Sequence, residues 1–199
     1  MNYERNITRY ITGLSTPDNI TAVFNKLNYM FLDSGFVTNP LPPFIPLTES
    51  TEKPKEPVTG LLPEIKKEIS LTGKLRIEEN GKWIIWPAEK EISENLRFFA
   101  EKFTEMFIPS AAASADNNYT LLPLNNGLVI SGNRNLIQPP PGEDLNTLFD
   151  KADKLINIHF NWKKLELVCY KIEYPSDRNW LSAVSWRRLW KRRLKRIPE

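Results

Sequence analysis

The sequence has very few of the residues on which disulfide scaffolds, zinc sites and histidine-based catalysis depend. Its 199 residues include one cysteine, Cys169, and one histidine, His159. A disulfide needs two cysteines, and a structural zinc site usually takes its ligands from several Cys and His side chains, so counting alone excludes both kinds of scaffold. We therefore expect no metal site.

Long apolar runs and phosphate-binding loops are also missing. No apolar stretch approaches the roughly 18 residues of a membrane-spanning helix, and the amino terminus lacks the charged-then-apolar pattern of a secretory signal. The expected compartment is therefore reducing and cytoplasmic. The turn after Gly132 lacks the second glycine of a dinucleotide or phosphate loop, so no cofactor is expected.

The two residues that could serve as a nucleophile and its base give weak signals. Cys169 lies in an alternating apolar segment, as a small core residue does, and His159 lies near the end of a predicted helix. Together they would make the protein a small hydrolase, but no glycine-rich elbow accompanies them. We therefore expect a protein that is not an enzyme, and hydrolysis is the weakest alternative.

Positive charge is concentrated at the carboxyl end of the chain. The formal net charge is +3. Residues 187–199 hold seven Lys and Arg residues against one Glu, a net +6, so the other 186 residues carry −3. Electrostatic potential depends on charge density within a Debye length of about 8 Å in physiological salt, and this segment is therefore a candidate contact surface.

The spacing of residues 178–196 predicts an amphipathic helix. Trp186 and Trp190 share one face at helical spacing, and the cations occupy the opposite face. Like charges four residues apart on a helix repel, and an acidic surface would offset that cost. The predicted residues for binding nucleic acid or another polyanion are Arg187, Arg188, Lys191, Arg192, Arg193, Lys195, Arg196, Trp186 and Trp190.

Prolines divide the first third of the chain. Residues 1–38 are predicted to be a helical segment, with one short helix up to Gly13 and a better-defined one ending near Gly35.

Residues 39–63 hold seven of the 16 prolines, which exclude a helix and a central strand, so an extended arm or linker is expected. The arm could lie on its own domain or on a partner. The predicted partner-binding residues are Pro40, Leu41, Phe44 and Ile45, with Trp83 of the following domain.

Residues 64–199 are predicted to form an α+β domain that ends in the basic helix. An Asn80-Gly81 turn predicts a hairpin in which Ile77 lies opposite Ile84, with apolar residues on both faces. Further elements are expected along this domain: helices over 89–108 and 143–160, a three-strand meander over 119–138 and a strand over 165–174. The expected fold class is α+β, with short antiparallel β-hairpins packed on about four helices.

These features favour a non-catalytic structural or adaptor subunit of a multi-component assembly. Its partners would be other protein subunits and, through the basic helix, nucleic acid or another polyanion. Two non-enzymatic alternatives stay open: a peripheral protein of anionic membranes, which requires both tryptophans of the helix to be exposed, and a virion or phage-derived structural component. A small-molecule substrate is not expected.

Overall fold

A computed structural model describes residues 6–58, 60–65, 68–78, 81–109, 121–132, 144–156, 162, 165–175 and 183–194. Seven strands and three helices lie within those residues, which makes the fold α+β as predicted. In chain order they are β1 (Asn6–Ser15), α1 (Asp18–Asp33), β2 (Phe44–Ser50), β3 (Arg76–Ile77), β4 (Trp83–Pro87), α2 (Lys90–Phe107), β5 (Gly127–Gly132), α3 (Leu145–Ile156), β6 (Glu166–Pro175) and β7 (Ser185–Arg193).

The strands form two antiparallel sheets. The larger sheet has the order β2-β1-β6-β7, and the smaller has the order β3-β4-β5. Strands from residues 1–38, 39–63 and 64–199 therefore join in one sheet. The first and last described strands, β1 and β7, both belong to that sheet, and β1 pairs along nearly its whole length with β6.

The short helix predicted up to Gly13 is wrong, because these residues form β1. The segment contains Ile7, Thr8, Ile11 and Thr12, whose branched side chains suit a pleated strand. β1 lies between β2 and β6 and bonds to both, so tertiary pairing outweighs a weak helical periodicity.

The proline-rich segment is not a free arm over its whole length. Its residues 44–50 form β2, whose side chains are almost all buried. β2 lies at the edge of its sheet, where no further strand needs a hydrogen bond from the backbone of Pro46. This position agrees with the prediction that proline excludes a central strand. Farther along, the Lys55 amide donates to the carbonyl of Phe107.

The predicted hairpin is confirmed. Ile77 lies opposite Ile84, and the Glu78 amide donates to the Trp83 carbonyl at 2.9 Å. Gly81 has a φ of 68°, in the left-handed region that glycine adopts readily, and its amide donates to the Glu78 carbonyl at 2.7 Å. Asn80 lies outside the described residues, so the two-residue form of the turn stays a prediction.

Helical and strand periodicity also predicted the elements that follow. α2 and α3 lie within the predicted ranges, and α3 begins after Asp144, whose carboxylate accepts hydrogen bonds from the Asn146 and Thr147 amides. β6 matches the predicted strand. Of the predicted meander, β5 is present and residues 121–126 form no strand, while the third strand lies outside the described residues. None of the described helices combines the length and apolar character needed to cross a bilayer.

The predicted basic carboxy-terminal helix is wrong where it can be compared, since residues 185–193 form strand β7. β7 pairs with β6, and one residue, Leu189, has no opposite partner because the register shifts between Cys169 and Tyr170. Such a β-bulge inserts one extra residue into a strand. The bulge places Trp186 and Trp190 on opposite faces of the sheet, although four residues separate them as on one face of a helix.

Two clusters of buried side chains hold these elements together. The larger cluster contains the buried side chains of the three described helices, together with Trp86 of β4 and Trp190 of β7. The smaller joins the two sheets and contains Trp83, Ile85 and Tyr170. Both faces of β4 are thus covered within the chain, which accounts for the two apolar faces of the hairpin.

Candidate polyanion interface

Strand β7 presents its cations at the edge of the larger sheet. No strand lies beyond β7 in the described part of the chain. Residues directly opposite in an antiparallel pair project to the same face, and Trp186, Arg188, Lys191 and Arg193 lie opposite alternate residues of β6. These four side chains therefore share one face, which we call the β7 outer face.

The two tryptophans of β7 have different surroundings. Trp190 is 5% exposed, and its ring centroid lies 6.3 Å from that of Phe103 on α2. Trp186 is 41% exposed and packs perpendicular to Tyr170, with ring centroids 5.6 Å apart. One indole therefore belongs to the core, and the other is fixed at the surface with part of its ring open to solvent.

Some of the cations are paired within the molecule. Lys191 forms an ion pair with Glu166, and Arg192 forms one with Glu56. All four of these side chains are at least one-third exposed, and such pairs contribute about 1 kcal/mol or less. Arg187 lies near Glu173 and helps to lower the pKa of that carboxyl, whose largest lowering contribution is a hydrogen bond from Lys171.

Two arginines of the β7 outer face have no ion-pair partner in the described part of the chain, although Arg193 lies directly opposite Glu166 of β6. Among the described residues, Arg188 and Arg193 form no ion pair, and the charge of Arg188 lies close to the phenol of Tyr170. Charged side chains also protect an edge strand from pairing with other chains, which explains part of the basic composition without a ligand. Protection of the edge strand does not explain why the exposed indole of Trp186 lies beside these arginines. Lys195 and Arg196 lie outside the described residues.

A groove of about 410 Å³ begins at Trp186. Its other walls come from the carboxy-terminal half of α1 and from residues 38–43. The most exposed apolar side chains in the lining are Tyr29 and Leu32, at 67% and 53%. We call this cavity the Trp186 groove; its apolar lining includes Tyr29, Leu32, Pro40, Pro42, Pro43 and Trp186.

One polar atom in the groove wall has no partner. The Asn28 side-chain nitrogen donates to the Asn39 carbonyl at 2.9 Å, which fixes the amide. Its Oδ1 is buried and accepts no hydrogen bond from the described residues. An unpaired buried acceptor is costly, and a ligand N–H would satisfy it.

The predicted partner-binding residues are mostly inside the molecule. Leu41, Phe44, Ile45 and Trp83 are buried in the chain's own core, and Pro40 is exposed in the groove lining. The structure thus brings Pro40 and Leu41, predicted for the partner-binding site, next to Trp186, predicted for the polyanion site.

Sequence reasoning missed Tyr29 and Leu32. Both lie on α1 outside its buried stripe of Ile20, Val23, Phe24, Leu27 and Phe31. Large apolar residues on the polar side of an amphipathic helix are the signal that could have found them.

The proposed nucleophile pair gains no support from the geometry. Cys169 is fully buried in the middle of β6, and burial raises the pKa of its thiol to about 11, so the reactive thiolate is disfavoured. His159 lies outside the described residues. Among those that are described, no group of three or more His, Cys, Asp and Glu side chains could hold a metal ion.

A third residue missed by sequence reasoning is the buried acid Glu49 on β2. Burial raises the pKa of its carboxyl to about 7, although it accepts a hydrogen bond from the Leu121 amide at 2.6 Å. Arg9 Nε lies 3.4 Å from Glu49 Oε1 without forming a hydrogen bond to it. This ion pair therefore offsets little of the free-energy cost of burying the charged carboxylate. The carboxyl anchors residue 121 to β2.

Glu49→Gln should stabilise the protein at alkaline pH. Between pH 4.5 and about 7 the folded state holds a proton that the unfolded chain has released, so the wild-type free energy of unfolding falls as pH rises through this window. Glutamine can still accept from Leu121 and carries no charge to bury. At about pH 8 we expect a gain of up to roughly 3 kcal/mol in urea unfolding, shrinking as pH approaches 4.5.

The control is Glu52→Gln, which changes an exposed carboxylate nearby and should shift the unfolding free energy by about 0.5 kcal/mol or less at either pH. An equal effect of Glu49→Gln at both pH values would contradict the raised pKa.

Neither protein-family models nor curated proteins include a match to this chain.

Proposed function

We propose that the protein is a non-catalytic structural or adaptor subunit that binds nucleic acid through β7. The observation that carries this proposal is the β7 outer face, where Arg188 and Arg193 form no ion pair within the described chain and share one face of an edge strand with the half-exposed Trp186. Arginine binds phosphate through two parallel hydrogen bonds, and neutralised phosphates release counterions.

The strand geometry supports this role better than the predicted helix would. Side chains two residues apart on a strand project to the same face about 7 Å apart, so cations of one face form an open row. The edge position leaves that row accessible from the side. A phosphate backbone lying along β7 would meet Arg188, Lys191 and Arg193 in turn.

The membrane alternative is less well supported. It requires Trp186 and Trp190 to enter the interface together, and Trp190 lies buried on the opposite face. A single exposed indole beside exposed ion pairs gives little apolar area for insertion. Co-sedimentation with anionic vesicles is therefore expected to be weak.

A charge-removal variant tests the proposal. In Arg188→Gln/Arg193→Gln, affinity for a single-stranded oligonucleotide of about 12 nucleotides should fall about tenfold at 150 mM salt, because two phosphate contacts are lost. The slope of log affinity against log salt should become shallower by about 1.4, since each phosphate contact to a single strand contributes about 0.7. Fluorescence anisotropy across roughly 50–200 mM salt measures both quantities.

The matched control is Lys90→Gln/Arg97→Gln, which removes two exposed cations from α2 and changes net charge by the same amount. Its affinity and salt slope should stay close to wild type. If both double variants behave alike, the contact is not on β7, and the proposed function is wrong.

A further inference from the structure

The Trp186 groove combines three features that one ligand class can use. It has exposed aromatic side chains from two elements, Trp186 on β7 and Tyr29 on α1. It has a fixed, unpaired acceptor, Asn28 Oδ1. Its residue Trp186 shares one face of β7 with Arg188, two residues farther along the strand.

We infer that the Trp186 groove binds an unstacked base of single-stranded nucleic acid, with Trp186 as the stacking surface and Arg188 on the adjoining phosphate. This inference rests on the proposed function, because it assumes that the backbone follows β7. It adds that the protein distinguishes single strands from duplexes.

The size and lining of the groove suit a base. Its volume of about 410 Å³ lies within the range of roughly 300–1,000 Å³ typical of small-molecule sites. Aromatic faces bind bases of any sequence, since every base has a π-face. The perpendicular packing on Tyr170 holds the Trp186 indole in place before a ligand arrives.

Asn28 supplies a hydrogen-bonding element. Its Oδ1 can only accept, and it is buried in the free protein, so pairing with an amino or imino N–H of a base requires the groove wall to open around it. The Asn39 carbonyl already accepts from the amide nitrogen, which leaves Oδ1 as the end without a described partner.

Charge favours nucleic acid over an apolar or proline-rich peptide. Trp186 belongs both to the groove and to the β7 outer face, whose described cations outnumber their carboxylate partners. A ligand that places an aromatic ring in the groove and regular negative charges along β7 is a single strand with its bases turned out. In a duplex the bases are stacked and paired, so the same contact costs unstacking energy.

Binding to paired probes tests the inference. The probes are a mixed-sequence single-stranded oligonucleotide, the same strand with abasic sites at its centre, the corresponding duplex and oligoglutamate. Wild type should bind the intact strand at least tenfold more tightly than the abasic strand or the duplex. Trp186→Ala should lose about tenfold on the intact strand and little on the abasic strand, because the stacking partner is absent there in either case.

Two further variants guard against a folding defect. Trp186→Phe keeps an aromatic face and should recover most of the affinity, and Tyr29→Ala removes an exposed side chain and should weaken binding severalfold. Phe98→Ala, an exposed aromatic on α2, is the control and should bind as wild type does.

The outcomes separate the two proposals. If Trp186→Ala binds the intact strand as wild type does while Arg188→Gln/Arg193→Gln is weakened, the base site is wrong and backbone binding by β7 stands. Equal affinity for oligoglutamate and the intact strand also overturns the base site. If no probe binds in a salt-dependent way, both proposals fail.

Discussion

Replacing Trp190 by alanine is expected to lower the free energy of unfolding by about 3–5 kcal/mol. The indole is 5% exposed and packs on Phe103, so its removal leaves a cavity between β7 and α2. Chemical denaturation at neutral pH, followed by far-UV circular dichroism, measures the loss. If the variant does not fold at all, its loss of stability is at least as large as expected.

Two other variants test whether the loss depends on the buried position of Trp190 in strand β7. Trp186→Ala should cost about 1 kcal/mol, because its indole is 41% exposed and makes one aromatic contact within the described chain. Trp190→Phe should cost much less than alanine, since it fills most of the volume and removes an indole N–H without a described partner. Equal losses for Trp186→Ala and Trp190→Ala would contradict their placement on opposite faces.

Gly127→Ala is expected to destabilise the protein by about 3 kcal/mol or more. Gly127 has a φ of 141°, which side-chain-bearing residues rarely adopt. An added Cβ would also lie 2.2 Å from the Trp86 carbonyl oxygen and 2.7 Å from Pro87 Cα. Both contacts are with backbone, so the β4–β5 pair would have to move apart. The same denaturation experiment measures the effect.

The control for Gly127 is Gly73→Ala. No atom lies within 4 Å of a Cβ built at Gly73, and its φ lies outside the left-handed range. We expect a change within about 0.5 kcal/mol, or a small gain from the less flexible unfolded chain. A loss at Gly127 no larger than at Gly73 would show that β4 and β5 do not approach as closely as described.

Local sequence patterns were sufficient to predict several of the helices and strands. The Asn80-Gly81 pair predicted the register of the hairpin, because a turn centred on it leaves one way to pair the flanking residues, and Ile77 does lie opposite Ile84. In α1 and α2 the apolar residues recur at helical spacing over four turns or more, and the same residues are buried in the structure. Long periodic segments carry this information without tertiary context.

The error at β7 has a definite physical cause. A strand alternates with a period of two, and the bulge at Leu189 breaks that alternation. Trp186, Leu189 and Trp190 then show the spacing of a helix face. The repulsion assigned to a helix is reduced in the strand, where adjacent cations point to opposite faces and Glu166 supplies a neighbour across the pair.

The candidate site could be predicted only in part. Trp186 and the cations of β7 are visible as a local cluster in the sequence. The groove is not, because its walls come from α1, residues 38–43 and β7, which only the fold brings together. The burial of Phe44 and Ile45 was likewise invisible, since it depends on β2 joining β1.

Ultraviolet cross-linking of a bound single-stranded oligonucleotide, with the attachment points mapped by mass spectrometry, is the most direct measurement. We expect cross-links at Trp186 and Tyr29, which line one groove, and their loss in Arg188→Gln/Arg193→Gln at about 150 mM salt. Cross-links confined to aromatic residues away from β7, such as Phe98 on α2, would contradict nucleic-acid binding along this strand.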